Sequence, residues 1–166
     1  VEPLEVTLTA LRVWLGTVML AHGINHGRDL PGTEAWFAKK GFEHARLQAI
    51  LSSAGEIAIG VGLLLGFLTS LAAAALVIPM VVAFGAIHRF AGFFVFARPD
   101  EGWEYVATLV VAATVVATAG GGPVSVDAWL GLQDTLTGWP GLGLVAGGVI
   151  LGWFQLLVFW RKPDPR

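Results

Sequence analysis

Five long apolar stretches, each nearly free of charge, leave this chain very few ways to fold. About 20 helical residues cross the hydrocarbon layer of a bilayer. The first stretch runs from about Val6 to Asn25, the second from Leu47 to Leu68 and the third from Leu71 to Arg89. The fourth, Trp103 to Ala119, is short, and the fifth runs from Gly141 to Trp160. Each must be helical, because lipid offers no hydrogen-bond partners to open strand edges. Only 13% of the 166 residues are charged and the mean hydropathy is +0.73. Soluble domains average about 25% charged residues, so lipid, not a large buried core, accounts for the deficit. The expected fold class is an all-α integral membrane helix bundle in a single domain spanning 1–166.

Several function classes fall away on composition. The net charge is −2 and no basic block is present, which excludes a nucleic-acid partner that works by counterion release. The chain has no cysteine, which removes disulfides, thiolate metal sites and cysteine relays. Redox chemistry would therefore need a bound cofactor to carry the electrons. No internal repeat or long linker divides the sequence. Val1 in place of a methionine points to trimming, and no leader with a cleavage site is visible.

The connections define a topology. Thr69 and Ser70 alone separate the second and third stretches, a tight antiparallel hairpin, and Pro79 should kink the third helix. Glu34 to Lys40, with Trp36 and Phe37, reads as a short interfacial helix. Gly92 to Phe96 is apolar but too short to span, and should dip into the membrane surface. Nine of the ten Lys and Arg residues fall in the first connection, the third connection and the C-terminal tail, which five crossings place on one side. The positive-inside rule then gives a cell-membrane protein with its N-terminus outside and its C-terminus cytoplasmic. Trp103 and Trp160 would anchor the inner interface, and Trp129 and Trp139 the outer one.

Charge inside a membrane helix is expensive, so the residues that retain it carry information. Arg12 and Glu56 lie within the first and second stretches at depths that differ by about 6 Å, counted at ~1.5 Å per residue from the inner ends. A structural ion pair between them is expected. His22 and His26 are one turn apart near the inner end of the first helix, His88 ends the third, and Glu104 begins the fourth. With Glu56 they converge on the inner half of the bundle from four helices. An i, i+4 histidine pair can chelate a metal, with a carboxylate completing the sphere. The same groups can instead handle protons, or hold the helices in register. Asp127 reads as the start of a short surface helix, and His44 as a surface residue.

Read in order, Arg12-x-x-x-Gly16, His22-Gly23, Trp36-Phe37, Glu56 in a Gly-rich helix, Gly92-Phe93-Phe94, Gly102-Trp103-Glu104-Tyr105 and Ser125-Val126-Asp127 resemble the DoxX family. The resemblance covers roughly Leu11 to Leu130. It implies a four-helix core to which the fifth, C-terminal helix is an addition, and its recurrent polar positions fall on Arg12, His22, Glu56, Glu104 and Asp127. The family includes relatives of the membrane subunit of thiosulfate:quinone oxidoreductase, so the resemblance implies a membrane oxidoreductase or its accessory subunit. A lysine common in the family four residues after the histidine is here His26.

Two functions follow as expectations. In the first, the protein is quinone-linked, with His22, Glu56, His88 and Glu104 as the catalytic polar groups and Trp103 and Tyr105 lining a quinone slot. In the second, it is a non-enzymatic anchor or assembly subunit. A metal at His22 and His26 is the lesser cofactor expectation. Besides the bilayer, the expected partners are other membrane subunits or further copies of the chain, with the fifth helix as their packing surface.

Overall fold

The computed structural model describes residues 2–163. Arg166, counted above among the closing basic residues, lies outside them. Helix α1 spans Pro3–Arg28, α2 Leu30–Lys39, α3 Ala45–Leu65, α4 Thr69–Ala86, α5 Glu104–Ala119, α6 Val126–Trp129 and α7 Trp139–Phe159, with a 3-10 turn at His88–Phe90. The architecture is all-helical. Four helices, α1, α3, α4 and α7, are long and apolar enough to cross a membrane, and α5 is a shorter apolar helix. The 16 residues of α5 cover about 24 Å, a little less than a hydrocarbon core of ~30 Å.

The ends differ from the sequence expectation for identifiable reasons. Helix α1 continues through Arg28 because nothing breaks it before Asp29, whose side chain then caps α2 by accepting from the Gly32 amide at 3.0 Å. Helix α3 stops at Leu65, three residues early, because Gly66 adopts φ +64 and the Phe67 amide bonds back to the Gly62 carbonyl. The hairpin turn is therefore Gly66–Leu68, and Thr69 and Ser70 are the first residues of α4. Pro79 lies inside α4, where it denies the Ala75 carbonyl an amide partner.

Two layers make the bundle. Helices α1 and α3 pack closely and antiparallel, with Ser53 Oγ donating to the Gly23 carbonyl at 2.9 Å. A Cβ at Gly60 would come within 2.6 Å of the Leu20 amide nitrogen, and one at Gly23 within 2.7 Å of that of Ile57, so the backbones touch where side chains are missing. The second layer packs α5 and α7 on α4. Three α7 glycines face inward: Gly141 lies against Ala117, Gly148 against Ala74 and Gly152 against Val81. The fifth helix is thus seated within its own chain by its small-residue face. Its bulky outer face, including Ile150, Leu151, Phe154 and Leu157, is exposed.

At one end, the α2–α3 link clamps the end of α7: Phe42 bridges Trp160, Trp160 Nε1 donates to the Lys40 carbonyl at 2.8 Å, and the Arg161 amide donates to Gly41. Arg28, Lys39, Lys40, Arg46, Arg89, Arg98, Arg161 and Lys162 all gather at this end, called inner below. The aromatic segment 92–96 folds there as a loop, with the Gly102 amide bonded to Phe94 and that of Trp103 to Gly92. The close α1–α3 contact makes a sharp prediction. Gly60→Ala should cost about 1–3 kcal/mol in equilibrium unfolding in mixed micelles, the usual range for overpacking. Gly55→Ala, where a Cβ meets nothing within 4 Å, should leave stability unchanged or slightly raised.

Candidate functional site

Arg12 and Glu56 do not pair. Each belongs to a different end of the bundle. Arg12 is 2% exposed and spends its donors on backbone: Nε on Gly121 at 3.0 Å, Nη2 on Val124 at 2.6 Å, and Nη1 on both Leu63 and Leu64. The expectation failed because it aligned the helix ends. The glycine contacts set the register instead, placing Gly16 against Leu64 and Gly23 against Ile57, so that Arg12 meets the C-terminus of α3.

Asp127 completes the outer end. It does sit in the short helix α6, which Ser125 caps, but its carboxylate is buried and reaches across to α4. Oδ1 accepts from the Leu68 amide at 2.7 Å and Oδ2 from that of Thr69 at 2.8 Å. A buried cation thus caps the carbonyl end of α3 and a buried anion the amide end of α4, each sign matched to its helix dipole.

In the inner half a cleft of about 1090 Å³ lies between the two layers, which still meet there where Ala49 of α3 clusters with Val82 and Ala86 of α4 and Leu156 of α7. Its walls are largely apolar. Leu51 of α3 and Leu151 and Phe154 of α7 line it and are also exposed, so the cleft opens sideways between those helices. Of the groups expected to converge, His22, His26, Glu56 and His88 line this space, and so does Tyr105.

Glu56 is the deepest polar group of the cleft, 6% exposed. Oε1 accepts from Ser52 Oγ at 2.8 Å, and His26 Nδ1 lies 3.0 Å from Oε2. That contact is close but poorly directed, and Oε2 receives no hydrogen bond. His26 Nδ1 is also 3.5 Å from Ser52 Oγ. His22 is on the same face of α1, its ring centroid 6.2 Å from that of His26, and it is exposed. His88 Nδ1 lies 2.6 Å from the Glu101 carbonyl, to which it donates.

Two expected members are elsewhere. Glu104 begins α5 but turns to the aromatic loop, where Oε2 accepts from the Val95 amide at 3.2 Å, and it does not line the cleft. Trp103 packs edge-on against Phe93 at 4.7 Å, so of the two proposed slot residues only Tyr105 reaches the space. Both residues lie at the turn into α5, which faces the loop because residues 92–94 bond to 102–104. The expected metal site at His22 and His26 is not assembled either: His26 is turned to Glu56, and no group of three or more ligating side chains occurs among the described residues.

A family model matches here: residues 7–89 fit that of DoxX. The chain belongs to the DoxX family. The match spans α1 to α4 and contains Arg12, His22, His26 and Glu56, but it ends before Glu104 and Asp127. No curated protein and no solved structure matches the chain. The DoxX segment thus carries the buried carboxylate, its histidine and the α4 part of the opposite wall, which α5 and α7 complete.

Sequence reasoning gave no site role to Gln48 or Gln155, whose amides bond at 2.8 Å across the cleft lining from α3 to α7. The signal was present. Gln48, Ser52 and Glu56 recur every four residues, a polar stripe down one face of an otherwise apolar helix. The separation of the two ends predicts the outcome of a mutant cycle. Arg12→Met should destabilise by about 3–5 kcal/mol, because four carbonyls and a nearby buried carboxylate lose their cation. Combining it with Glu56→Leu should add to within about 0.5 kcal/mol, since the two residues share no partner. Unfolding in mixed micelles measures both.

Proposed function

We propose that the cleft is a site for a membrane quinone and that this DoxX protein is the membrane component of a quinone-linked redox system. One observation carries the reading. An apolar cleft open toward the lipid-facing surface holds a buried carboxylate with an imidazole nitrogen 3.0 Å from one of its oxygens. A quinone needs that combination: an apolar slot for ring and tail, donors or acceptors at its oxygens, and a route for protons.

A bound quinone supplies two-electron, two-proton chemistry at its ring oxygens. The residues of this chain would orient those oxygens and exchange protons with them. His26 and Glu56 stand together on the cleft wall, and Ser52 bonds to the carboxylate. Imidazole suits the role because its unperturbed pKa is about 6.5. His88, with Nε2 unengaged, and Tyr105 offer further partners on the wall. With no cysteine in the chain, the electrons must come from a donor protein at the membrane surface or from a carrier that such a protein brings. The absence of cysteine also favours the second reading, a non-enzymatic anchor for another membrane subunit.

Binding separates the two. A short-chain quinone titrated into the purified protein should quench tryptophan fluorescence saturably, and Glu56→Ala or His26→Ala should weaken the binding by about tenfold, the equivalent of one charged hydrogen bond of ~1.4 kcal/mol. Absence of saturable quenching, with no quinone in lipid extracts of the purified protein, would remove the redox reading. The reading also places the basic inner end in the cytoplasm. In the cysteine-free chain, Lys39→Cys and Ser125→Cys should then label from opposite faces of sealed vesicles, Lys39→Cys from the cytoplasmic face.

A further inference from the structure

The cleft has a second class of lining that the quinone reading does not use. Besides its apolar lateral opening, it is bounded at the inner end by Arg98, Pro99, Asp100 and Glu101. Arg98, Pro99 and Glu101 are exposed, and the Asp100 side chain is 44% exposed. One continuous space therefore runs from exposed charged loop residues to a carboxylate that is almost completely buried. Charged side chains at a membrane surface are hydrated, so this end of the cleft is in contact with water.

The path between them is polar on one side. Gln48, Ser52 and Glu56 stand on successive turns of α3, about 6 Å apart at ~1.5 Å per residue, and all three line the space. Gln48 is 2% exposed and bonded to Gln155, and Ser52 is bonded to Glu56. A helix packed only against lipid or apolar neighbours has no use for such a stripe, and burying it costs free energy unless water or a partner satisfies it. At its end, Oε2 of Glu56 has beside it only the poorly directed His26 Nδ1, at 3.0 Å.

At the mouth, one contact ties the two flanking segments together. Lys40, the C-cap of α2, reaches Asp100 of the 91–103 loop at 2.7 Å. The other ion pairs of this end join residues that do not line the inner opening, save the neighbouring Arg98–Glu101 pair within the loop itself.

We propose that this inner opening is the aqueous entrance by which water and protons reach Glu56, and that the Lys40–Asp100 pair holds it narrow. The lateral opening admits the apolar ligand and the inner one admits water, so the two traffics do not share a route. The proposal rests on the quinone reading for its purpose. Its proton step is a relay. A hydronium ion at the mouth gives up a proton through water in the cleft to the Glu56–His26 pair, leaving neutral water behind. The pair passes a proton to a ligand oxygen as the donor protein supplies the electrons that reduce the ligand, which returns the pair to its starting state.

The natural lack of cysteine makes the test direct. Gly55 lines the cleft beside Glu56, and a Cβ there meets nothing within 4 Å, so Gly55→Cys should fold; Ser52→Cys serves as the second reporter. In sealed proteoliposomes, a small cationic thiosulfonate should modify both cysteines from the inner face only. Ile150→Cys, 67% exposed on the outer face of α7, should react with a lipophilic maleimide but not with the charged reagent. Adding Asp100→Asn should speed charged-reagent labelling by about fivefold, as expected for loss of a partly exposed ion pair worth ~1 kcal/mol. Labelling of neither reporter by the charged reagent, with both modified by the maleimide, would overturn the entrance. An unchanged rate with Asp100→Asn would overturn the role of the pair. Quinone titration of the same preparations keeps the two ideas apart: quinone binding without charged labelling defeats the entrance alone, and charged labelling without quinone binding defeats the ligand reading while the water path stands.

Discussion

The buried Arg12 guanidinium is the contact on which the arrangement of this bundle depends. It bonds to the last turn of α3 and to the loop that follows α5, and so joins the two layers at one end. A cation in that position would be prohibitive in bare hydrocarbon. It is tolerable because a helix C-terminus and a loop each present carbonyls that need donors, and because Asp127 meets the amide end of α4 a few residues away. Gly66 is required between them: its φ is +64, and a Cβ there would strike the guanidinium.

Closing one end so firmly leaves the other free to differ. Helices α1 and α3 stay together through their glycine contacts, and α4 and α7 through theirs, and in the inner half a space remains between the two sets although they still meet there in the cluster of Ala49, Val82, Ala86 and Leu156. The space between them is the cleft. Helix α2, the aromatic loop and the end of α7 then cover its base, where basic and aromatic side chains suit the membrane interface. A tight outer knot and a looser inner half are thus two consequences of one division of the chain into layers.

The DoxX match ends within this design, not around it. Helices α1 to α4 hold the buried carboxylate, its histidine and the polar stripe. Helices α5 and α7 lie outside the matched segment yet complete the wall, with Tyr105, Val106, Leu109, Leu151 and Gln155. The C-terminal helix α7 is not an idle appendage. Without it, Gln48 would lose its partner and the cleft one side.

Much of this was legible before the structure. The membrane class, the positions of the apolar helices and the family all follow from local properties: hydropathy over about 20 residues, spacing of small residues, and short motifs. His22, His26 and His88 could be grouped because each sits near the inner end of its helix, with Glu56 midway along α3. Pairing was not legible. Arg12 and Glu56 seemed matched in depth, but depth counted from helix ends presumes that the ends align. The offset is set by where Gly16, Gly23 and Gly60 let two backbones touch, a contact between distant segments. Glu104 and Trp103 shared a terminus with the site but were turned from it by backbone bonds of the loop before them. The sequence by itself determined that the chain lies in a membrane as helices and which few polar residues sit inside it. Only the tertiary structure decided which of them meet, because in lipid hydropathy drives each helix into the bilayer, whereas close packing and hydrogen bonding alone choose its neighbours.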